Sequence, residues 1–257
     1  MKNNKCKILV LSDLNKTTSN TIKSGVSLAK IIGADINFLY VKKPTEVVKN
    51  ENQLSAVRTM NKDYLSTNKK IKDLIRPISE NYNININHTF TVGNLKNEIG
   101  KYIDDNKPDI VILGKRKSKV INFIGDNITQ FILKKHKGII VIVDDKNVLE
   151  PNKELHIGLF NSTSANSKFT DKIINSTQKS LKSFKISENS HSLKDNLGKN
   201  TVEYVFTKGD NVIKNISNYL SKSKINLLFV DRKKENLINT NIKDVINTLD
   251  CSLLLTT

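Results

Sequence analysis

Phe90-Thr-Val-Gly93-Asn-Leu-Lys-Asn-Glu-Ile-Gly-Lys-Tyr102-Ile leads into Asp109-Ile-Val-Ile-Leu-Gly114-Lys115-Arg116-Lys117, and this stretch decides how the whole chain is read. A similar order returns later: Phe206-Thr-Lys-Gly209-Asp, Ile216-Ser-Asn-Tyr219-Leu and Asn226-Leu-Leu-Phe-Val-Asp231-Arg232-Lys233-Lys234. With one inserted residue, Gly93 pairs with Gly209, Tyr102 with Tyr219, and the basic run after Gly114 with the basic run after Asp231. Matches of this length and order point to a duplicated supersecondary unit.

Working outward, the first copy alternates strand and helix signals. Ile8 to Leu11 is a continuous apolar run, as in a strand buried on both faces. Ile22, Val26 and Ala29 then form one helical stripe, and Gly33 is placed to end that helix. Ile36 to Val41 reads as a second strand. A long helix is expected from Gln53 to about Tyr82, with Pro77 bending or ending it early. A third strand spans Asn85 to Thr91, a helix Asn94 to Asn106, a fourth strand Ile110 to Leu113, a helix Asn122 to Lys135, and a fifth strand Ile139 to Val143. Strands joined by crossover helices imply right-handed βαβ units and a parallel sheet covered on both faces.

The expected fold is α/β, with two tandem open parallel sheets of the doubly wound, Rossmann-like kind and strand order 3-2-1-4-5 in each. Residues 1–146 form the complete unit, 147–152 a polar linker containing Pro151, and 153–257 a shortened unit. In the shortened unit a strand from Glu154 to Phe160 precedes a helix near Asn166 to Ser183. Only Phe184 to Ser187 and a polar tract then precede the strand Val202 to Thr207, so the long second helix is lost or reduced to a loop. The two sheets are expected to relate by an approximate twofold axis, with Ile139–Val143 and 252–255 near the interface, because apolar last strands would otherwise expose edges.

The first copy resembles the universal stress protein family over nearly all of its length. The residues that carry the resemblance are Ile8-Leu-Val-Leu-Ser-Asp13, Leu28-Ala-Lys-Ile-Ile-Gly33-Ala-Asp, Ile36-Asn-Phe-Leu-Tyr-Val41, Val92-Gly93-Asn and Pro108-Asp109-Ile-Val-Ile-Leu-Gly114. The resemblance implies a five-stranded parallel α/β layer, often in tandem copies, which in some members binds ATP or AMP-like ligands and few of which have a demonstrated reaction. It places Asp13 at the adenine-ribose end, Val41 at a main-chain contact to adenine, and Gly114, Lys115, Lys117 and Gly125 around a phosphate loop. In the family that loop reads Gly-x-x-Gly, nine residues, then Gly-Ser or Gly-Thr. Glycines there let backbone amides approach phosphate, and a helix N-terminus adds partial positive charge.

This chain departs from the pattern at three points. Lys117 stands at the second glycine, seven residues rather than nine separate it from Gly125, and Asp126 takes the hydroxyl position. A carboxylate about 4 Å from a phosphate costs roughly 1 to 4 kcal/mol at surface dielectric values. The cluster Lys115, Arg116, Lys117 and Lys119 offers side-chain cations to an anion, or is simply a solvated loop. The second copy has Asn161 for Asp13 and Asp231 for Gly114, and no nucleotide site is expected there.

Composition bounds the rest. The formal charge is +17, from 42 Lys plus Arg against 25 Asp plus Glu. The basic residues fall in both halves, 26 of them before Pro151 and 16 after, with 6% aromatics and no Trp, so a nucleic-acid module is the weaker reading. No apolar run approaches the ~18 residues of a membrane span, and the chain reads as cytoplasmic. Cys6 and Cys251, like His88, His136, His156 and His191, lack metal-ligand spacing. The hydroxyl-rich run Ser12 to Thr21 is like phosphate loops of ATP-using α/β enzymes but holds no glycine. The leading expectation is a non-catalytic stress-response protein with a weak site for a small anion or adenine nucleotide in the first copy. An ATP-using enzyme of a related α/β class and a basic nucleic-acid module are the alternatives.

Overall fold

A computed structural model describes residues 5–44, 53–115, 128–160, 168–187, 200–232 and 242–256. The first half runs β1 (Lys7–Leu11), α1 (Thr18–Ile32), β2 (Asp35–Lys42), α2 (Gln53–Tyr82), β3 (Ile86–Val92), α3 (Leu95–Asn106), β4 (Ile110–Gly114), α4 (Ile128–Lys135) and β5 (Ile139–Val143). The second half runs β6 (Ile157–Phe160), α5 (Lys168–Asn175), β7 (Leu181–Ser187), β8 (Thr201–Thr207), α6 (Val212–Lys222), β9 (Leu227–Asp231), α7 (Ile242–Thr248) and β10 (Ser252–Thr256).

The strands form one sheet in the order β3-β2-β1-β4-β5-β10-β9-β6-β7-β8. Each half therefore has the 3-2-1-4-5 order, and every pairing within a half is parallel. The two tandem sheets expected from sequence join edge to edge into one continuous sheet. The expected edge strands do meet, β10 pairing antiparallel with β5 through Leu253–Ile142, Leu254–Val141 and Leu255–Ile140. Two apolar edges with unsatisfied backbone groups bury each other more completely by sharing hydrogen bonds than by stacking. Strands β1, β4, β5, β6 and β10 are nearly all buried residues, as central parallel strands require.

One apolar layer, under α1, α2 and α5, is centred on Val10, Ile22, Phe38, Ile71 and Leu254. The opposite layer, under α3, α4, α6 and α7, holds Leu9, Ile99, Ile132, Phe184, Ile216 and Val245. Gly33 ends α1 in the left-handed region at φ 73°, where it returns its N–H to Ala29. Helix α2 continues through Pro77 for five more residues, so proline does not end it early. The helix expected at Asn166 to Ser183 stops at Asn175, and the strand after it starts at Leu181. Residues 122–127 of the expected fourth helix and the polar tract 188–199 lie outside the described residues.

Strand register corrects the internal alignment. Gly93 donates its N–H to Lys42 O, and Lys208 donates the equivalent bond to Ser187 O. Gly93 is thus equivalent to Lys208, Phe90 to Val205, and the insertion before the next helix is two residues, not one. Because side chains alternate along a strand, this one-residue shift exchanges faces. Phe90 packs on the α2 layer, whereas Phe206 packs on the α6 layer. By the same counting from the paired strands, Ile8 matches Ile157 and Leu11 matches Phe160, while Asn161, expected at the Asp13 position, lies outside the described residues.

Candidate functional site at the carboxyl ends of the first strands

Strand β1 lies between β2 and β4, which are wound in opposite directions from it, and this is where an open α/β sheet forms its crevice. β1 ends at Leu11, opposite Leu39 on β2 and Leu113 on β4. β2 continues for three residues past that level, pairing with β3 as far as Lys42. Asp13 follows the end of β1, Val41 sits on the overhang, and Gly114 closes β4, so the three expected site residues lie at the same end of adjacent strands. The Val41 side chain is buried in the α3/α4 layer, which leaves its backbone for any contact above the sheet.

The turn from β1 to α1 is held by its own hydroxyls and amides. Leu14 takes a left-handed φ of 56°. Asn15 Oδ1 accepts the Thr17 N–H and hydroxyl, both at 2.8 Å, while Thr18 N–H donates to Asn15 O at 3.2 Å. Ser12 and Thr18 hydroxyls lie 2.7 Å apart. Much of the hydroxyl-rich run that resembled a phosphate loop is therefore engaged in the turn that leads into α1, although the N-cap residue Thr17 makes no side-chain cap bond. Gly114 has a packing reason of its own: a Cβ there would come 2.8 Å from Thr21 Oγ1.

Lys115 departs from the expected picture. It is 9% exposed and its Nζ donates to Leu249 O, in the second half, at 2.5 Å. Its ammonium points into the seam between the halves, away from the solvated basic cluster expected after Gly114. Arg116, Lys117, Lys119, Gly125 and Asp126 lie outside the described residues.

In the second half, Asp231 occupies the Gly114 position, since Asp231 pairs with Thr256 as Gly114 pairs with Val143. A cavity of about 200 Å³ lies elsewhere, where Lys30 and Ile31 of α1 face Asn152 to Leu155 and Ser176. It is lined by the last turns of α1 and by residues preceding β6 and β7, not by Asp13, Val41 or Gly114, and Lys30 Nζ is held by Asn152 Oδ1 at 2.6 Å.

Other chemistry is muted. Burial pushes both thiols, Cys6 and Cys251, up to about 12, which suppresses thiolate at neutral pH. Burial also lowers the His88 and His136 rings from their usual range, and His88 Nε2 lies 2.8 Å from Asn68 Oδ1. Among the described residues no three His, Cys, Asp or Glu side chains gather as a metal site, and no helix is long and apolar enough to cross a membrane.

What the sequence reading missed is the use made of the first residue of each basic run, Lys115 and Arg232. It paired Lys115 with Arg232 correctly, and the strand ends confirm that equivalence. The signal for a structural role was their recurrence in a second copy that has lost its glycine.

An open, doubly wound parallel sheet with its crevice residues on β1, β2 and β4 defines a Rossmann-like α/β protein. The model of the universal stress protein family matches residues 6–143, more than half of the chain, and the chain belongs to that family. A universal stress protein from Archaeoglobus fulgidus is similar in structure over 98% of this chain and 96% of its own, at TM-score 0.67 and 15% identity. A functionally unknown protein from Pseudomonas aeruginosa is similar over 98% and 92%, at TM-score 0.58 and 10% identity. These likenesses concern the fold. Among curated proteins no sequence matches.

Proposed function

We propose that this is a non-catalytic, cytoplasmic stress-response protein whose first half holds one small anionic or adenine-nucleotide ligand weakly. The second half acts as its covalent structural partner, an internal pseudo-dimer. The observation that carries the reading is the convergence of Asp13, Val41 and Gly114 on the crevice of the first half alone. Phosphate recognition is weakened by sequence: Lys117 and Asp126 replace a glycine and a hydroxyl, and the loop is two residues short. Lysine charge attracts an anion from a distance, but it does not replace amides that need close backbone approach. The burial of Lys115 removes one cation from that loop and supports weak binding further. An ATP-using enzyme would need an ordered triphosphate and a metal-holding carboxylate, and no observation favours that reading.

Calorimetry with ATP at near-physiological salt, on the native protein and on Asp126→Ser, tests the proposal. Native binding weaker than low micromolar, improved by Asp126→Ser, is expected. Tight native binding would contradict the reading of the loop. Native mass spectrometry of freshly purified protein would reveal a co-purified ligand of either class.

A further inference from the structure

We propose that Lys115 and Arg232 are a pair of crossed helix caps that lock the two halves of the chain into one cooperative unit. The two residues are equivalent. Each follows the last residue of its half's fourth strand, and each donates its N–H to the last residue of the neighbouring strand, Lys115 to Val143 O at 2.7 Å and Arg232 to Thr256 O at 3.1 Å. From there both side chains cross the β5–β10 seam. Lys115 Nζ reaches Leu249 O, just past the end of α7. Arg232 reaches the end of α4, donating to Leu133 O and His136 O at 3.3 Å each and to Gly138 O at 2.7 Å.

The acceptors correspond as well. Leu249 N–H bonds Val245 O as His136 N–H bonds Ile132 O, and each residue lies three before the start of its last strand. The carbonyl taken by Lys115 in one half is therefore the carbonyl taken by Arg232 in the other.

The last carbonyls of a helix have no partner within it, and the helix dipole favours a cation there. A helix ending at a buried seam cannot rely on water, so its cap has to come from protein. Here each half supplies the cap for the other half's last helix. The chemistry matches the tasks: the planar guanidinium spans Thr256 O on its own side and three carbonyls of α4 and its following turn across the seam, whereas the ammonium meets Leu249 O after α7. A buried ammonium is costly unless it is hydrogen-bonded, so Lys115 is held where it is. Each half's last helix is thus finished only when the other half is folded against it.

Hydrogen exchange on the full chain tests this, with Lys115→Met, Arg232→Gln and Lys115→Arg compared with the native protein. The expected pattern is crossed. Lys115→Met raises exchange at least tenfold around residues 245–251 of the second half and leaves 128–138 near native. Arg232→Gln does the reverse, and Lys115→Arg stays close to native. Calorimetric unfolding is expected to be a single transition in the native protein and to broaden or split in the single variants. If Lys115→Met does not fold, the Arg232→Gln arm and the Lys115→Arg rescue decide the matter alone. Exchange that rises only around the mutated residue's own strand, or in neither helix, would overturn the proposal.

Discussion

Strands β2 and β3 and strands β7 and β8 share a topology but not a chemistry. On the face beneath α2 the first half places Phe38, Tyr40, His88 and Phe90. At equivalent register positions the second half places Ser183, Lys185, Glu203 and Val205. In the first half Tyr64 of α2 stacks on Phe90 at 5.0 Å, and Phe90 stacks on Tyr40 at 5.5 Å. In the second half Lys185 and Glu203 pair at 2.8 Å instead, with side chains 14% and 22% exposed. The opposite face changes the other way: Leu39, Thr89 and Thr91 of the first half are matched by Phe184, Tyr204 and Phe206, with Phe184 stacked on both other rings. A duplicated unit thus keeps its backbone while its aromatic residues change sides, leaving a polar face where the first half carries its long helix.

Exchanging residues between the halves breaks this comparison most directly. Phe38 is fully buried, and Phe38→Ser, which copies Ser183, should cost about 3 to 5 kcal/mol through the cavity left behind. The reciprocal Ser183→Phe adds bulk at a fully buried site and should cost about 1 to 3 kcal/mol by overpacking. Urea midpoints of the two variants check the order. Equal, negligible effects would mean the two faces are interchangeable.

The polar face gives a smaller effect. Lys185→Met leaves the Glu203 carboxylate without its 2.8 Å partner and should cost about 1 to 3 kcal/mol, between the limits for exposed and fully buried pairs. Adding Glu203→Leu should recover most of that loss, because an apolar pair no longer strands a charge. A double-mutant cycle in urea reads this coupling, and additive losses would argue against it.

His136 and Leu249, equivalent by their helix-end hydrogen bonds, differ in acid response. Burial holds the His136 ring below the usual imidazole range, and the Arg232 charge pushes it the same way, against opposing backbone contacts at Asp109 and Ile139. The unfolded chain then takes up the proton first. Stability from this group is complete above the ordinary histidine range and is lost as pH falls through it. His136→Leu should therefore flatten the decline in melting temperature between about pH 7 and 5, the range in which an ordinary histidine titrates. An unchanged slope would remove His136 from the account.

The smallest contrast lies at the helix starts. Asn94 caps α3 by accepting the Lys96 and Asn97 N–H groups, at 3.1 and 3.2 Å. Asn211, its equivalent before α6, makes no side-chain cap bond. Asn94→Ala should cost about 1 kcal/mol, and Asn211→Ala only a few tenths.

The first half was legible because its signals are redundant. Apolar runs such as Ile139–Val143 and the stop at Gly33 each specify an element without help from tertiary contacts. Errors arose where a local rule met a tertiary context. Pro77 reads as a helix breaker, yet Ile71, Ile75 and Ile78 bury the same face on both sides of it and hold α2 together. The Phe-Thr-x-Gly match around Phe206 was one residue out of register, because residue identity does not encode which face a strand side chain takes. Of the proposed site, strand order in the sequence locates only the ends of β1, β2 and β4, beside which Asp13, Val41 and Gly114 lie. The direction of the Lys115 side chain depends on a carbonyl 134 residues away, which no local pattern reveals.

The central claim is that two copies of one unit divide their work, the first keeping the crevice and the second completing the sheet. An amide-resolved NMR titration of the full chain with ATP, up to millimolar concentration, tests it most directly. The account predicts shifts confined to residues near Leu11 to Asn15, Val41 and Gly114, saturating at one ligand per chain and lost in Asp13→Asn. Equal shifts at Phe160, Ser187 and Asp231, or shifts that survive Asp13→Asn unchanged, would contradict it.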